Sequence, residues 1–343
     1  MGFTFLYFDN YQINNITISI FVNLYIKPTK NRTYYCHVSH DIINPKNGEH
    51  MIKEIEAKQL LSTCKNPSMW FGVRYNFNIY RGCEFQCIYC DSRSKCYCIE
   101  NFKDILVKIN AAQLMIKELK AKRKKGTVGT GAMGDPYIYS EKKFELTRKC
   151  LEVIAESRFP VHITTKSNLV LRDIDILEEI NRIYASVSIT VTTTDDNLAR
   201  IIEPYAPLPS ERLKALGILS SVGICTSITM MPILPFIEDN EQNIVDIVKK
   251  ADYYGVRHIV PAIGMTLREG NREYYYDKLD EHFPGLREKY EKKYGSRYNC
   301  TSGNSKKLWN AFNEACYKYG ISTKMPSYEN KITATQISLF EGQ

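Results

Sequence analysis

The sequence predicts an α/β fold of parallel strand–helix units, and two observations carry that reading. From about Asn76 onward, short β-rich runs alternate with longer helix-like runs. The helix-like runs also carry apolar residues on one face only, as helices packed on a sheet do. Six strands are expected, at residues 76–80, 127–132, 161–165, 186–192, 226–231 and 258–262, with helical patterns between them at 102–122, 141–157, 171–183, 210–221 and 240–254. Ile105, Ile109, Ala112, Ile116 and Leu119 line one face of the first helical pattern, and Ile244, Ile247 and Ala251 line the fifth. Asp239 with Gln242 resembles a capping box for that fifth helix, and Gly255 is placed to close it. Residues 266–323 read as a Tyr-rich, charged helical extension whose last helix spans 305–319, and the tail 324–343 loses helical period. Residues 1–50 are rich in Asn and aromatics, poor in charge and without helical period, an extension that supplies no motif to the later chain; residues 51–75 lead into the repeating units.

The 343 residues are 44% hydrophobic and 24% charged with mean hydropathy −0.32, which excludes collagen, intrinsic disorder and membrane-span classes. Near the start, the apolar stretch at residues 18–26 is interrupted by Asn23 and is shorter than the roughly 20 residues of a spanning helix. No Lys or Arg precedes Lys27, so no secretory signal is expected, and a cytoplasmic location is. Eleven cysteines are too sparse for a disulfide scaffold and leave at least one unpaired, which fits a reducing compartment with some thiols on metal. A net charge of +8 favours a polyanionic partner without requiring one. Most of its clustering is Lys120, Lys122, Arg123, Lys124 and Lys125 before Gly126, which also suits a helix C-terminus.

Cys83, Cys87 and Cys90 form C-x-x-x-C-x-x-C in a loop directly after the first expected strand. Three thiolates on a [4Fe-4S] cube leave one iron open to an outside ligand, whereas a closed structural site uses four protein ligands. The alternative is that Cys96 or Cys98 adds a fourth thiolate, making a structural Zn site or an electron-transfer cluster, although neither belongs to a second C-x-x-C pair.

With these residues the sequence resembles the radical SAM superfamily, and more narrowly the branch of spore photoproduct lyases and the proteins grouped with them as DNA repair photolyases. The supporting residues are Ile79-Tyr80-Arg81-Gly82-Cys83, Gly134-Asp135-Pro136-Tyr137, Thr165-Lys166-Ser167, Glu203-Pro204 with Pro209 and Arg212, and Pro232-Ile233-Leu234-Pro235 followed by Glu238-Asp239-Asn240-Glu241. The resemblance implies a partial (β/α)6 TIM-type barrel over residues 76–265 with a mostly helical C-terminal extension. It also implies a [4Fe-4S] cluster on Cys83, Cys87 and Cys90 and S-adenosyl-L-methionine chelated to the open iron. One electron from a donor such as flavodoxin or ferredoxin would cleave the sulfonium, and the resulting 5′-deoxyadenosyl radical would take hydrogen from substrate. By the same resemblance Tyr89 would lie against the adenine, Lys166 would pair with the cofactor carboxylate, Ser188 or Thr190 would contact ribose or carboxylate, and Asp135 would join the cofactor-binding set. Each has a plainer reading: Gly134-Asp135-Pro136 is also turn chemistry, Lys166 a solvated strand end, and Ser188 an alternating strand position.

The branch is expected to carry a hydrogen-donating cysteine just before the acid at Asp135, but the run Ala132-Met133-Gly134-Asp135 has no thiol. Cys96, Cys98 and Cys300 are candidate donors only by elimination, while Cys150 and Cys225 sit in packed helix and strand patterns. At the C-terminus Gln336, Ile337, Ser338, Leu339 and Phe340 resemble the peptide by which bacterial repair proteins dock on the sliding clamp; the same residues could instead pack back as an edge strand. The expected function is therefore radical chemistry on DNA or another nucleic acid. The rivals are the same chemistry on RNA, a peptide or a small metabolite, and a non-catalytic iron–sulfur or zinc protein.

Overall fold

Strand after strand from the first repeating unit onward pairs with its sequence neighbour in parallel. The computed structural model of the protein describes residues 51–99 and 101–328, together with strand backbone at Tyr11–Ile13, Ile16–Ile18 and Val38–Ser39. The rest of the expected extension over residues 1–50 lies outside the described residues. The main sheet runs in the order β10(His258–Pro261), β9(Cys225–Met230), β8(Ala185–Thr190), β7(Val161–Thr165), β6(Thr127–Thr130), β3(Val73–Phe77), β2(Leu61–Thr63). All neighbours are parallel except β2, which is antiparallel to β3. Helices connect the parallel strands: α1(Ala111–Lys120), α2(Glu141–Phe144) and α3(Leu146–Glu156), α4(Ile174–Asn181), α5(Asp196–Ile202) and α6(Pro209–Ser221), then α7(Glu241–Tyr253). Six parallel strands with β10 and β2 left as edges make a partial barrel.

The pleat sorts the side chains. Val187, Ile189, Ile228 and Met230 are buried on one face with the apolar residues of the helices. The other face is polar and stacked in rows set by the register: His162, Ser186 and Cys225; then Thr164, Ser188 and Ser227; then Thr190 and Thr229. Each row is hydrogen-bonded across strands, His162 to Ser186 at 2.9 Å and Thr190 to Thr229 at 2.9 Å, so burial leaves these groups satisfied. Phe71 stacks on the His162 ring at 4.5 Å, and burial pushes its pKa down to about 3. Between that value and the ordinary 6.5 the unfolded chain binds a proton that the folded chain does not. Stability is therefore expected to fall as pH drops from 6.5 towards 3, with this residue contributing a slope of about 1.4 kcal/mol per unit. Urea unfolding at several pH values, with His162→Asn losing that part of the slope, checks it.

Several expected elements shift for identifiable reasons. The segment expected as one helix over 102–122 divides: Ile105 and Val107 are buried with Leu106 and Lys108 half-buried between them, a strand alternation that forms β5(Ile105–Lys108), and only α1 is helical. The first strand runs over Val73–Phe77, and β4(Tyr80–Arg81) is a separate piece antiparallel to β5. β5 is in turn parallel to β1(Ile52–Ile55), so the lead-in segment is part of a second small sheet. The helix expected at 141–157 breaks at Glu145, which has φ +52°. The fifth-helix cap is Asn240, whose side chain accepts from the Asn243 amide at 2.9 Å; Asp239 instead accepts from Phe236 and Ser302. Gly255, at φ +71°, closes α7 as expected. The basic run starts at Lys120, the last residue of α1, as the helix C-terminus reading expects, and packs locally beyond it, Lys122 over Tyr75 and Lys125 over Phe159.

Beyond the barrel come the antiparallel strand pair β11(Gly264–Thr266) and β12(Asn299–Thr301), the helices α8(Asn271–His282) and α9(Leu286–Tyr294) between them, and α10(Ser305–Tyr319), which has the expected bounds. After α10 the chain crosses the N-terminal ends of the barrel strands. Ser322 bonds to Arg257 and Ile259 at the start of β10, Met325 sulfur lies 3.7 Å from Ser188 Oγ, Tyr184 donates to the Pro326 carbonyl at 2.5 Å, and Ser327 covers Gly72. That end of the polar interior is thus closed, and the opposite, C-terminal end carries the loops. Among the described residues no helix is long and apolar enough to cross a membrane.

Candidate functional site

The cysteine loop leaves the small sheet after Arg81 and returns to it at Ile105, so paired strands clamp both stems. Gly82 makes the exit possible: its φ is +81°, and a Cβ there would lie 2.3 Å from the Asp104 carbonyl oxygen. Gly82→Ala is expected to destabilise by at least about 1–3 kcal/mol and to lower iron retained per chain, read by urea midpoint and iron assay.

Within the loop Cys83 and Cys87 are buried and Cys90 is half-buried. Burial raises the Cys83 thiol, and the nearby Asp135, Cys87 and Cys90 add to that effect; Cys87 is pushed up to about 12, again by burial first. The three thiols therefore lie within electrostatic range of one another in a low-dielectric site. Among the described residues no three or more His, Cys, Asp or Glu are close enough to hold a single ion. A cube asks for something different, since each thiolate binds a different iron and the ligands stand apart, and the donor set fits one. Cys96 and Cys98 are exposed, and Cys96 sulfur accepts from Arg268 at 3.4 Å. Cys300 is fully buried on β12, which removes it from the exposed thiols that could meet a substrate.

The loop is docked from several sides. Glu84 accepts from the Ser140 amide and hydroxyl at 2.8 Å, the Ile88 amide donates to the Ile202 carbonyl at 2.9 Å, and Ser92 donates to the Met133 carbonyl at 2.8 Å. Beside it lies a hub in which Glu203 and Arg212, expected only as motif residues, join the expected site residues Tyr89 and Lys166. Glu203, fully buried at the end of α5, accepts from the Tyr89 hydroxyl, pairs with Arg212 at 2.5 Å and has Lys166 Nζ at 3.8 Å. Burial alone would raise the Glu203 carboxyl, but Arg212 and Lys166 outweigh it and hold it below the ordinary carboxylate range. Lys166 is raised: burial opposes its charge, and Cys87 and Glu203 favour it more strongly. Its ammonium stands 5.6 Å from the centre of the Tyr89 ring, and burial with Glu203 keeps the Tyr89 phenol protonated. Glu203 and Arg212 were visible only as motif residues; their pairing needs α5 and α6 to converge.

Of the other expected site residues, Thr190 lies one position past Ile189, the partner of Thr165, and so stands level with Lys166. Ser188 is one row lower, bonded to Ser227 and facing Met325, and is not brought to this group. Asp135 spends its oxygens on the protein: Oδ1 accepts from Thr165 Oγ1 at 2.6 Å and the Tyr137 amide at 2.9 Å, and Oδ2 from the Lys166 amide at 2.6 Å. Its carboxylate thereby fixes the strand end that presents Lys166. Glu238, buried near the same group, is raised well above the usual carboxylate range by desolvation, and its Oε2 accepts from the Leu234 amide at 2.9 Å.

A Methanocaldococcus jannaschii protein, MJ0683, is 33% identical over 211 residues, covering 61% of this chain and 77% of its own. The Mycobacterium tuberculosis protein Rv2578c is 26% identical over 249 residues, covering 70% and 73%. Among solved structures, a spore photoproduct lyase complexed with dinucleoside spore photoproduct matches with TM-score 0.61 at 13% identity, over 80% of this chain and 81% of that one, and a variant of it with bound AdoMet matches equally well. These structural likenesses bear on the fold. The model of the Radical SAM superfamily matches residues 77–251, which contain the cysteine loop, Lys166, Glu203 and Arg212. The chain belongs to the radical SAM superfamily, which works with a [4Fe-4S] cluster and S-adenosylmethionine.

Proposed function

We propose that this radical SAM protein holds the cluster on Cys83, Cys87 and Cys90 and acts on DNA or another nucleic acid. When bound, the cluster and S-adenosylmethionine supply one-electron cleavage of a sulfonium bond and, from it, a hydrogen-abstracting radical. The observation that carries the reading is the three-thiol loop, two of its thiols buried and one half-buried, set beside the Lys166–Glu203–Arg212 hub at the C-terminal end of the barrel. Glu203, 3.8 Å from the Lys166 ammonium, orients it, and a cofactor carboxylate would pair with the same ammonium. Tyr89, held by its hydroxyl on Glu203, presents a ring face beside the same ammonium and offers adenine an apolar surface. The electron would come from a donor such as flavodoxin or ferredoxin.

Nucleic acid as substrate is supported by the +8 charge and by the fold shared with spore photoproduct lyase. A thiol donor, if the chemistry returns a hydrogen to substrate, would be Cys96 or Cys98, the exposed thiols among the described cysteines. The clamp-docking residues Gln336, Ile337, Ser338, Leu339 and Phe340 lie outside the described residues and remain part of this proposal. The test is 5′-deoxyadenosine release by reconstituted protein with ultraviolet-irradiated duplex DNA, intact DNA or RNA. Stimulation by irradiated DNA of tenfold or more, weakening with salt as phosphate contacts do, is the expected result. Equal release with all three would sink the nucleic-acid reading and turn the search to peptides and small metabolites.

A further inference from the structure

We infer that Arg93 is a positioning residue for charge at the cluster: its half-buried guanidinium, tied to the cysteine loop through Gln86, favours the reduced cluster and raises its midpoint potential. Arg93 ends the short 3-10 turn Asp91–Arg93 that follows Cys90. Its NH2 donates to Gln86 Oε1 at 2.6 Å, and Gln86 Nε2 donates to the Cys83 carbonyl at 2.6 Å, so one hydrogen-bond chain joins the guanidinium to the first cluster ligand. The guanidinium carbon lies 3.7 Å from the centre of the Tyr274 ring on α8 and 4.3 Å from that of Phe102. A planar, delocalised cation suits such a sandwich, and a Lys ammonium would fill it less well. Its charge acts electrostatically on all three thiols of the loop.

Unlike Lys166, Arg212 and Arg268, Arg93 has no anionic partner among the described residues. Lys166 and Arg212 share Glu203, and Arg268 is set against Asp91 at 3.7 Å. Among the described residues Arg93 has no carboxylate in ion-pair range, and its Nε is buried without a hydrogen-bond acceptor. An arginine stays protonated. A half-buried cation whose Nε is shut off from solvent and unpaired favours a nearby anion, and three thiolates around a cube provide one. Reduction adds one electron to the cluster, from dithionite in the assay, and makes or breaks no bond; the added negative charge is stabilised by a fixed cation in a low-dielectric site. The inference uses the cluster alone and does not depend on which substrate the protein takes.

The experiment is an anaerobic redox titration of reconstituted protein, reading the spin signal of the reduced cluster, for the native chain, Arg93→Gln and Arg93→Lys. Arg93→Gln is expected to retain iron and to show at least tenfold less reduced cluster at a fixed potential, a fall of about 59 mV for a one-electron couple. Arg93→Lys, which keeps the charge, is expected to stay within threefold of the native protein. A loaded Arg93→Gln protein within twofold of native overturns the inference. Equal losses in Gln and Lys would overturn it too, assigning the effect to shape, as would failure of both variants to retain iron, which would make Arg93 a brace for the loop. No nucleic acid is present, so the outcome is separate from the substrate proposal.

Discussion

Replacing any one of Cys83, Cys87 or Cys90 with Ala is expected to reduce iron and sulfide per chain to less than half and S-adenosylmethionine cleavage to below detection. The three thiols are the whole protein ligand set for three irons, and the loop that carries them is clamped at both stems, so no other thiol moves in to substitute. Cys96→Ser and Cys98→Ser are expected to load iron as the native protein does, because both side chains are exposed and Cys96 is turned to Arg268. Iron and sulfide analysis with the visible absorbance of the reconstituted proteins checks the set. Loss of metal in Cys96→Ser or Cys98→Ser would instead favour a four-thiolate structural or redox site.

Glu203→Ala is expected to cost about 3–5 kcal/mol of folding stability, a large part of the 5–15 kcal/mol typical of a domain. The carboxylate is fully buried, and its removal leaves Arg212, itself fully buried, without its anion and frees the Tyr89 hydroxyl and the Lys166 ammonium. Glu203→Gln keeps the shape and a hydrogen bond to Tyr89, so its loss should be smaller. Denaturant unfolding measures both. Because the folded carboxyl is held below its ordinary value, its contribution is present above about pH 4.5 and is lost as pH falls through the folded value. The difference between native protein and Glu203→Gln should therefore shrink in acid; a difference that stays constant would contradict the ion-pair account.

Legibility in the sequence followed the range of the interaction. The cysteine loop could be read because its ligands sit within eight residues, and α10 because its apolar face and ends are local signals. The β7 and β10 strands were found close to their observed bounds from β-rich runs after helical ones. The segment around Ile105 was misassigned because its apolar residues satisfy a helical spacing as well as a strand alternation, and the pairing of β5 with β1 and β4 decides between them. Glu203 and Arg212 were visible as motif residues, but their role arises where four separate segments meet. Asp135 illustrates the reverse: a carboxylate grouped with the cofactor by resemblance is occupied by Thr165, Lys166 and Tyr137. Nor could the passage of residues 322–328 under the barrel be read, since its backbone bonds to Arg257 and Ile259 carry no side-chain signature and its contacts with Ser188 and Tyr184 are far off in sequence.

The most direct measurement is 5′-deoxyadenosine release by anaerobically reconstituted protein given dithionite and S-adenosylmethionine, beside a variant with Cys83, Cys87 and Cys90 all changed to Ala. The account predicts release from the native protein and none from the variant. A native protein with a full cluster and bound S-adenosylmethionine that releases no more than the variant, with or without irradiated DNA, would contradict it.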